Sequence, residues 1–116
     1  MALKDSVGRW GELYALRYLK SVGFTIAHTN FRSSIGELDV VAFENDCLVI
    51  CEVKTRRGSR AGVAGEAIDA TRLARLRSSA EQVLSERSDA STVRVDAVLI
   101  DVDGEGIHLK HVRDIS

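Results

Sequence analysis

The sequence predicts a mixed α/β domain with a central sheet flanked by helices, in the order helix, three strands, helix, and one or two further strands. Three observations support this. An apolar stripe at the 3.6-residue period opens the chain, β-rich runs broken by turn residues follow, and a second periodic stretch interrupts the strands once without starting a βαβ repeat. With 116 residues the chain has room for a single domain over residues 1–116. Its hydrophobic share of 45% and charged share of 28% are those of a globular protein.

The first helix is expected from about Asp5 to Val22. Gly8, Gly11, Ala15, Tyr18, Leu19 and Val22 share one stripe, and Gly23 is a natural stop. A short strand, Phe24 to His28, comes next. The runs Gly36 to Phe43 and Cys47 to Lys54 are joined by Glu44-Asn45-Asp46, which has hairpin turn chemistry. A polar loop from Thr55 to Gly62 leads to a second helix, Gly65 to Arg87, with Leu73, Leu76, Ala80, Val83 and Leu84 on one face. Strands are expected at Val93–Val102 and Gly106–Val112.

No apolar run approaches the ~20 residues of a bilayer span, and the opening residues lack a secretion signal, so a cytoplasmic protein without a membrane partner is expected. On one strand, Cys47 and Cys51 would lie about 13 Å apart, too far for a disulfide, and read as buried thiols in a reducing compartment. His108 and His111 read as surface or edge residues. Trp10, Tyr14 and Phe31 read as packing first and as base-stacking groups second.

The net charge of −1 conceals an asymmetry. Between Lys54 and Arg77 seven basic residues, including Arg56, Arg57, Arg60, Arg72 and Arg75, face two acids. That suits a polyanion bound on one side, and equally a solvated helix face.

Candidate chemistry lies in three places. Glu12 interrupts the apolar stripe of the first helix, where a carboxylate needs a partner. Glu37 and Asp39 share one face of their strand, with Leu38, Val40 and Ala42 on the other. Glu52 and Lys54 end a strand that is otherwise apolar from Cys47. Asp39 meets Glu52 across the hairpin if Glu44 pairs with Cys47, leaving Asn45-Asp46 as a two-residue turn of the type I′ class. Were Glu12, Asp39 and Glu52 to converge, each carboxylate pair at about 5 Å would cost on the order of 3 kcal/mol. Lys54 would offset part of this and a hard divalent ion, Mg²⁺ or Mn²⁺, would offset more. Such a set suits metal-assisted phosphodiester hydrolysis.

These residues resemble the PD-(D/E)xK nuclease superfamily, and more narrowly the YraN-like family of bacterial proteins, similar in fold to archaeal Holliday-junction resolvases. The resemblance covers nearly the whole chain. It rests on Gly11-Glu12 with Ala15 and Tyr18-Leu19, then Gly23, Asn30-Phe31-Arg32, Gly36-Glu37-Leu38-Asp39, Glu52-Val53-Lys54-Thr55-Arg56 and Arg94-Val95-Asp96. It implies a restriction-endonuclease-like core (α-β-β-β-α-β), Asp39 and Glu52 as metal ligands with Glu12 auxiliary, Lys54 as the catalytic lysine and Arg32 as a phosphate contact. Leu38 stands where the superfamily has proline, and Arg72 where these relatives usually have lysine. Arginine keeps the charge but is a poor proton donor. The expectation is a Mg²⁺-dependent nuclease-like protein acting on branched or damaged DNA, DNA ahead of RNA, with a homodimer compatible. Arg56, Arg57, Arg60, Arg72 and Arg75 would hold backbone phosphates. The rival expectations are a nucleic-acid-binding module without catalysis and a protein-interaction module whose acids make ion pairs only.

Overall fold

Both faces of one five-stranded sheet are apolar, and each takes a helix. The computed structural model describes residues 2–34, 36–57, 68–87 and 90–115, with side chains in the first helix from Gly8 onward. The elements are α1 (Ala2–Ser21), β1 (Thr25–Arg32), β2 (Glu37–Glu44), β3 (Cys47–Arg57), α2 (Ala70–Ser85), β4 (Thr92–Asp103) and β5 (Gly106–Val112). Strand order follows chain order, β1-β2-β3-β4-β5. Every neighbouring pair is antiparallel except β3 and β4, which run parallel, with α2 in the segment that connects them. No helix among the described residues is long and apolar enough to cross a membrane.

Helices on both faces leave the centres of β3 and β4 apolar, Leu48–Cys51 and Ala97–Ile100, because neither face of the sheet meets water there. Ala15 and Leu19 of α1 pack on Val40, Ala42, Val49, Cys51, Val98 and Ile100. Leu76, Ala80 and Val83 of α2 pack on Leu38, Val41, Leu48, Ile50 and Val95. Gly23, at φ 104°, ends α1 as expected, with the Phe24 amide donating to the Leu19 carbonyl. Val22 falls beyond the helix and is exposed. Asp69 caps α2 by accepting from the Arg72 amide at 2.8 Å; the expected start at Gly65 lies outside the described residues.

Several expectations are corrected. β1 continues to Arg32, pairing Phe31 with Leu38 and Arg32 with Glu37. The expected polar loop begins later, since Thr55–Arg57 extend β3 and pair with Ile100–Val102. Only Asn45 of the hairpin turn takes a positive φ, 57°, whereas a type I′ turn needs two such residues. Leu38 does not share a face with Val40 and Ala42. It joins the α2 side while they join the α1 side, so β2 changes phase at Asp39. Opposite that break is Asn30, at φ 50°, a left-handed residue that turns the edge strand. His111 lies on the edge strand β5, as expected, but its side chain is turned in and only 5% exposed. Its Nε2 contacts Asp96 at 2.8 Å and its Nδ1 the Tyr18 hydroxyl at 2.8 Å, which joins β5 to β4 and α1. His108 is exposed, as expected. Both cysteines are free, and Cys51 is buried.

Candidate active site

The expected register holds, and it makes a fork. β2 and β3 pair from Glu44–Cys47 to Val40–Cys51, the offset that sets Asp39 opposite Glu52. There the ladder stops. The Asp39 carboxylate takes the next strand amide instead, with Val53 N–H donating to Oδ2 at 2.9 Å, and Glu52 already pairs with Ala97 of β4. Asp39 and Glu52 therefore meet where two strands part.

Around the fork lie two open cavities, of about 640 Å³ on the α1 side and about 500 Å³ toward α2. Glu12 and Asp39 line both. Glu37 lines only the first, while Glu52, Lys54 and Arg57 line only the second. Glu12 reaches the site because Gly11, its neighbour, lets α1 approach Thr55 of β3 too closely for any side chain to intervene.

Glu52 is 2% exposed. Its Oε2 accepts from Arg72 Nε at 3.0 Å and Nη2 at 2.7 Å, while its Oε1 is buried with no hydrogen-bond partner. A buried carboxylate oxygen without a donor is costly, and Glu52 is among the residues that line the second cavity. Burial, then the Glu52 charge, pushes the Asp39 carboxyl up to about 7, against the pull of the Val53 amide and Arg72. Burial, then Asp39, raises Glu12 as well, with the Asn30 side chain opposing. Lys54 forms no ion pair among the described residues.

A hard cation fits this donor set. It would satisfy Glu52 Oε1 and relieve the repulsion that raises Asp39. Among the described residues no three Asp, Glu, His or Cys side chains form a group that could hold a metal ion by themselves. The open arrangement suits an ion held by one or two carboxylates and completed by water and phosphate oxygens, the habit of Mg²⁺.

The model of the uncharacterised protein family UPF0102 matches residues 11–100, more than three-quarters of the chain. The chain belongs to this family. UPF0102 proteins of Kineococcus radiotolerans and Frankia casuarinae are each 43% identical to it, covering 97% of this chain and 95% and 98% of their own lengths. One from Magnetococcus marinus is 38% identical over 111 residues, 94% of this chain and 90% of its own. Glu12, Asp39, Glu52 and Lys54 of this UPF0102 chain all fall within the matched span.

The remaining candidates sit at varying remove. Arg57 lines the fork cavity. Arg32 is exposed and pairs across the ladder with Glu37. Arg56 is half-buried, its Nε without a partner. Arg75 is exposed on α2, and Arg60 lies outside the described residues. Arg72 is bonded to Glu52 in the structure, so its guanidinium reaches the site through that carboxylate. The sequence reading missed two things. One was this clamp, visible only as a cation beside the apolar face of α2. The other was Asn30, whose tolerance of left-handed backbone was the available signal.

Proposed function

We propose that this UPF0102 protein is a divalent-metal-dependent phosphodiester hydrolase of nucleic acid, DNA first, built on the restriction-endonuclease-like core of the PD-(D/E)xK superfamily. One observation carries the reading: Asp39 and Glu52 meet in a strand fork beside Lys54, with Glu52 Oε1 buried and unpartnered.

Asp39 and Glu52 would hold the ion, with Glu12 on the same cavity. Bound there, Mg²⁺ or Mn²⁺ supplies polarisation of the scissile phosphate and a lowered pKa for its water. Arg72 fixes Glu52 by occupying Oε2, leaving Oε1 without a donor. Lys54 brings an ammonium to the rim, where it orients the attacking water or offsets charge gathering on the phosphoryl oxygens. Arg57, Arg32 and Arg75 meet backbone phosphates, which favours recognition of shape over base sequence. A two-fold dimer would set two such sites on two strands.

The test is purified protein with Mg²⁺ or Mn²⁺ on linear duplex, single-stranded, flap and four-way DNA, beside Glu52→Gln. Metal-dependent cleavage lost in the variant supports the reading. Cleavage at the parent rate by Glu52→Gln, or no turnover together with no metal binding, overturns it. The Arg72 clamp favours a second reading, a nucleic-acid-binding module whose acids are structural. That reading expects salt-sensitive binding with no turnover in any metal.

A further inference from the structure

The outward face of α1 carries the chain's single tryptophan in a position that core packing does not explain. Trp10 is 39% exposed and Leu13 57%. The Trp10 and Tyr14 rings stack, with centroids 5.3 Å apart and planes 20° from parallel. Tyr14 is anchored beneath by the α1-side core, so the outer ring rests on a fixed base. No described residue accepts a hydrogen bond from the indole N–H.

Charge on this face has one sign. At about 100° per residue, Arg9, Lys20, Leu13, Arg17, Trp10 and Tyr14 fall within one arc of about 140°. The one acid between Gly8 and Ser21 is Glu12, which points outside that arc. Arg9, Arg17 and Lys20 are exposed. The groove beside the aromatic pair shares Leu13 and Leu16 with the cavity holding Glu12, Glu37 and Asp39.

We propose that this face binds single-stranded nucleic acid, one unpaired base stacking on Trp10 while its phosphates ride on Arg9, Arg17 and Lys20. A flat exposed ring among cations and without acids is the combination that takes a base and its backbone together, and it discriminates by pairing state because duplex bases have no free face. A two-fold contact with a second copy would bring the same three cations against each other. The inference rests on the nucleic-acid reading above and narrows it to substrates with an unpaired stretch beside the scissile bond.

Trp10 is its own reporter. The full chain is titrated in EDTA at low salt with an oligothymidylate and with a blunt duplex of equal phosphate count. Tryptophan emission is read alongside the anisotropy of labelled DNA. The single strand is expected to quench Trp10 to saturation and the duplex far less. Trp10→Ala should weaken single-strand binding about 5- to 100-fold while leaving duplex binding within about two-fold. Arg17→Gln should lower the salt slope by about one. Single-strand binding by anisotropy without quenching, or with equal affinity in Trp10→Ala, overturns the inference and spares the nucleic-acid reading. No binding of either DNA overturns both. A blue shift that grows with protein concentration and ignores DNA means a second copy covers the face, and overturns the inference.

Discussion

Gly11→Ala sets two effects of opposite sign against each other. In an exposed helix alanine is favoured over glycine by about 1 kcal/mol. Gly11 is buried against β3, and a methyl group there would overlap Thr55 Oγ1 and stand 2.9 Å from its Cβ and 3.1 Å from its Cγ2. Rotating Thr55 moves Oγ1 and Cγ2 but leaves Cβ in place, so α1 must lift. Overpacking of this kind costs about 1–3 kcal/mol, and three overlaps, one of them immovable, argue for the upper end. The net expectation is a loss of about 2 kcal/mol, read as a lower urea midpoint or a Tm reduced by about 8 °C. Adding Thr55→Gly removes the three overlapping atoms and leaves the helix preference for alanine, so the double mutant should recover about 3 kcal/mol relative to additivity. Lifting α1 also carries Glu12 away from Asp39, so Mn²⁺ affinity should fall with stability in the single mutant and return in the double. A Gly11→Ala protein as stable as the parent, or a cycle with no coupling, would refute the close-approach argument.

Metal-free protein should lose stability as pH rises from about 4 to about 7, because folded Asp39 still holds a proton there that the unfolded chain has shed. The span is of order 3 kcal/mol, and urea midpoints for the parent and Asp39→Asn should converge at low pH and separate at pH 8, the variant then being the more stable. Arg72→Met should weaken Mn²⁺ binding by about 10- to 100-fold in calorimetry, since the side chain that fixes a ligand is lost; equal or tighter binding would make Arg72 a competitor for Glu52. Asp96 is fully buried and accepts from Arg94 Nε and Nη2, the His111 ring and the Asp114 amide. Burial pushes its carboxyl up, but these bonds together hold it below the ordinary aspartate range. Asp96→Ala should therefore cost about 3–5 kcal/mol in denaturant melts, and in the parent this stabilisation, present at neutral pH, is lost as pH falls below about 4.

Some of this was legible in the residues and some was not, for separable reasons. The hairpin register could be read because a two-residue Asn45-Asp46 turn pairs Glu44 with Cys47, and that offset brings Asp39 to Glu52. The α2 face was legible because Leu76, Ala80 and Val83 repeat at helical spacing. The phase break at Asp39 was not, since strict alternation assumes ordinary backbone on both strands and Asn30 departs from it on the neighbour. The contacts of His111 were not legible because its partners, Tyr18 and Asp96, are 93 and 15 residues away. Arg72 was placed near the site by its position on the helix, but whether it would meet a phosphate or a carboxylate depends on the distance between α2 and β3, which no local pattern encodes.

The single hydrogen bond from the Val53 amide to Asp39 has a practical edge for anyone choosing inactive variants. Alanine at 39 would strip away a charge and also unfasten the hairpin's open end, so under the proposed hydrolase reading lost catalysis and a loosened scaffold would look alike in a cleavage gel. Asparagine keeps an oxygen for that amide and removes only the charge. The gap between the two variants would thus measure how far the architecture and the proposed reaction lean on the same carboxylate.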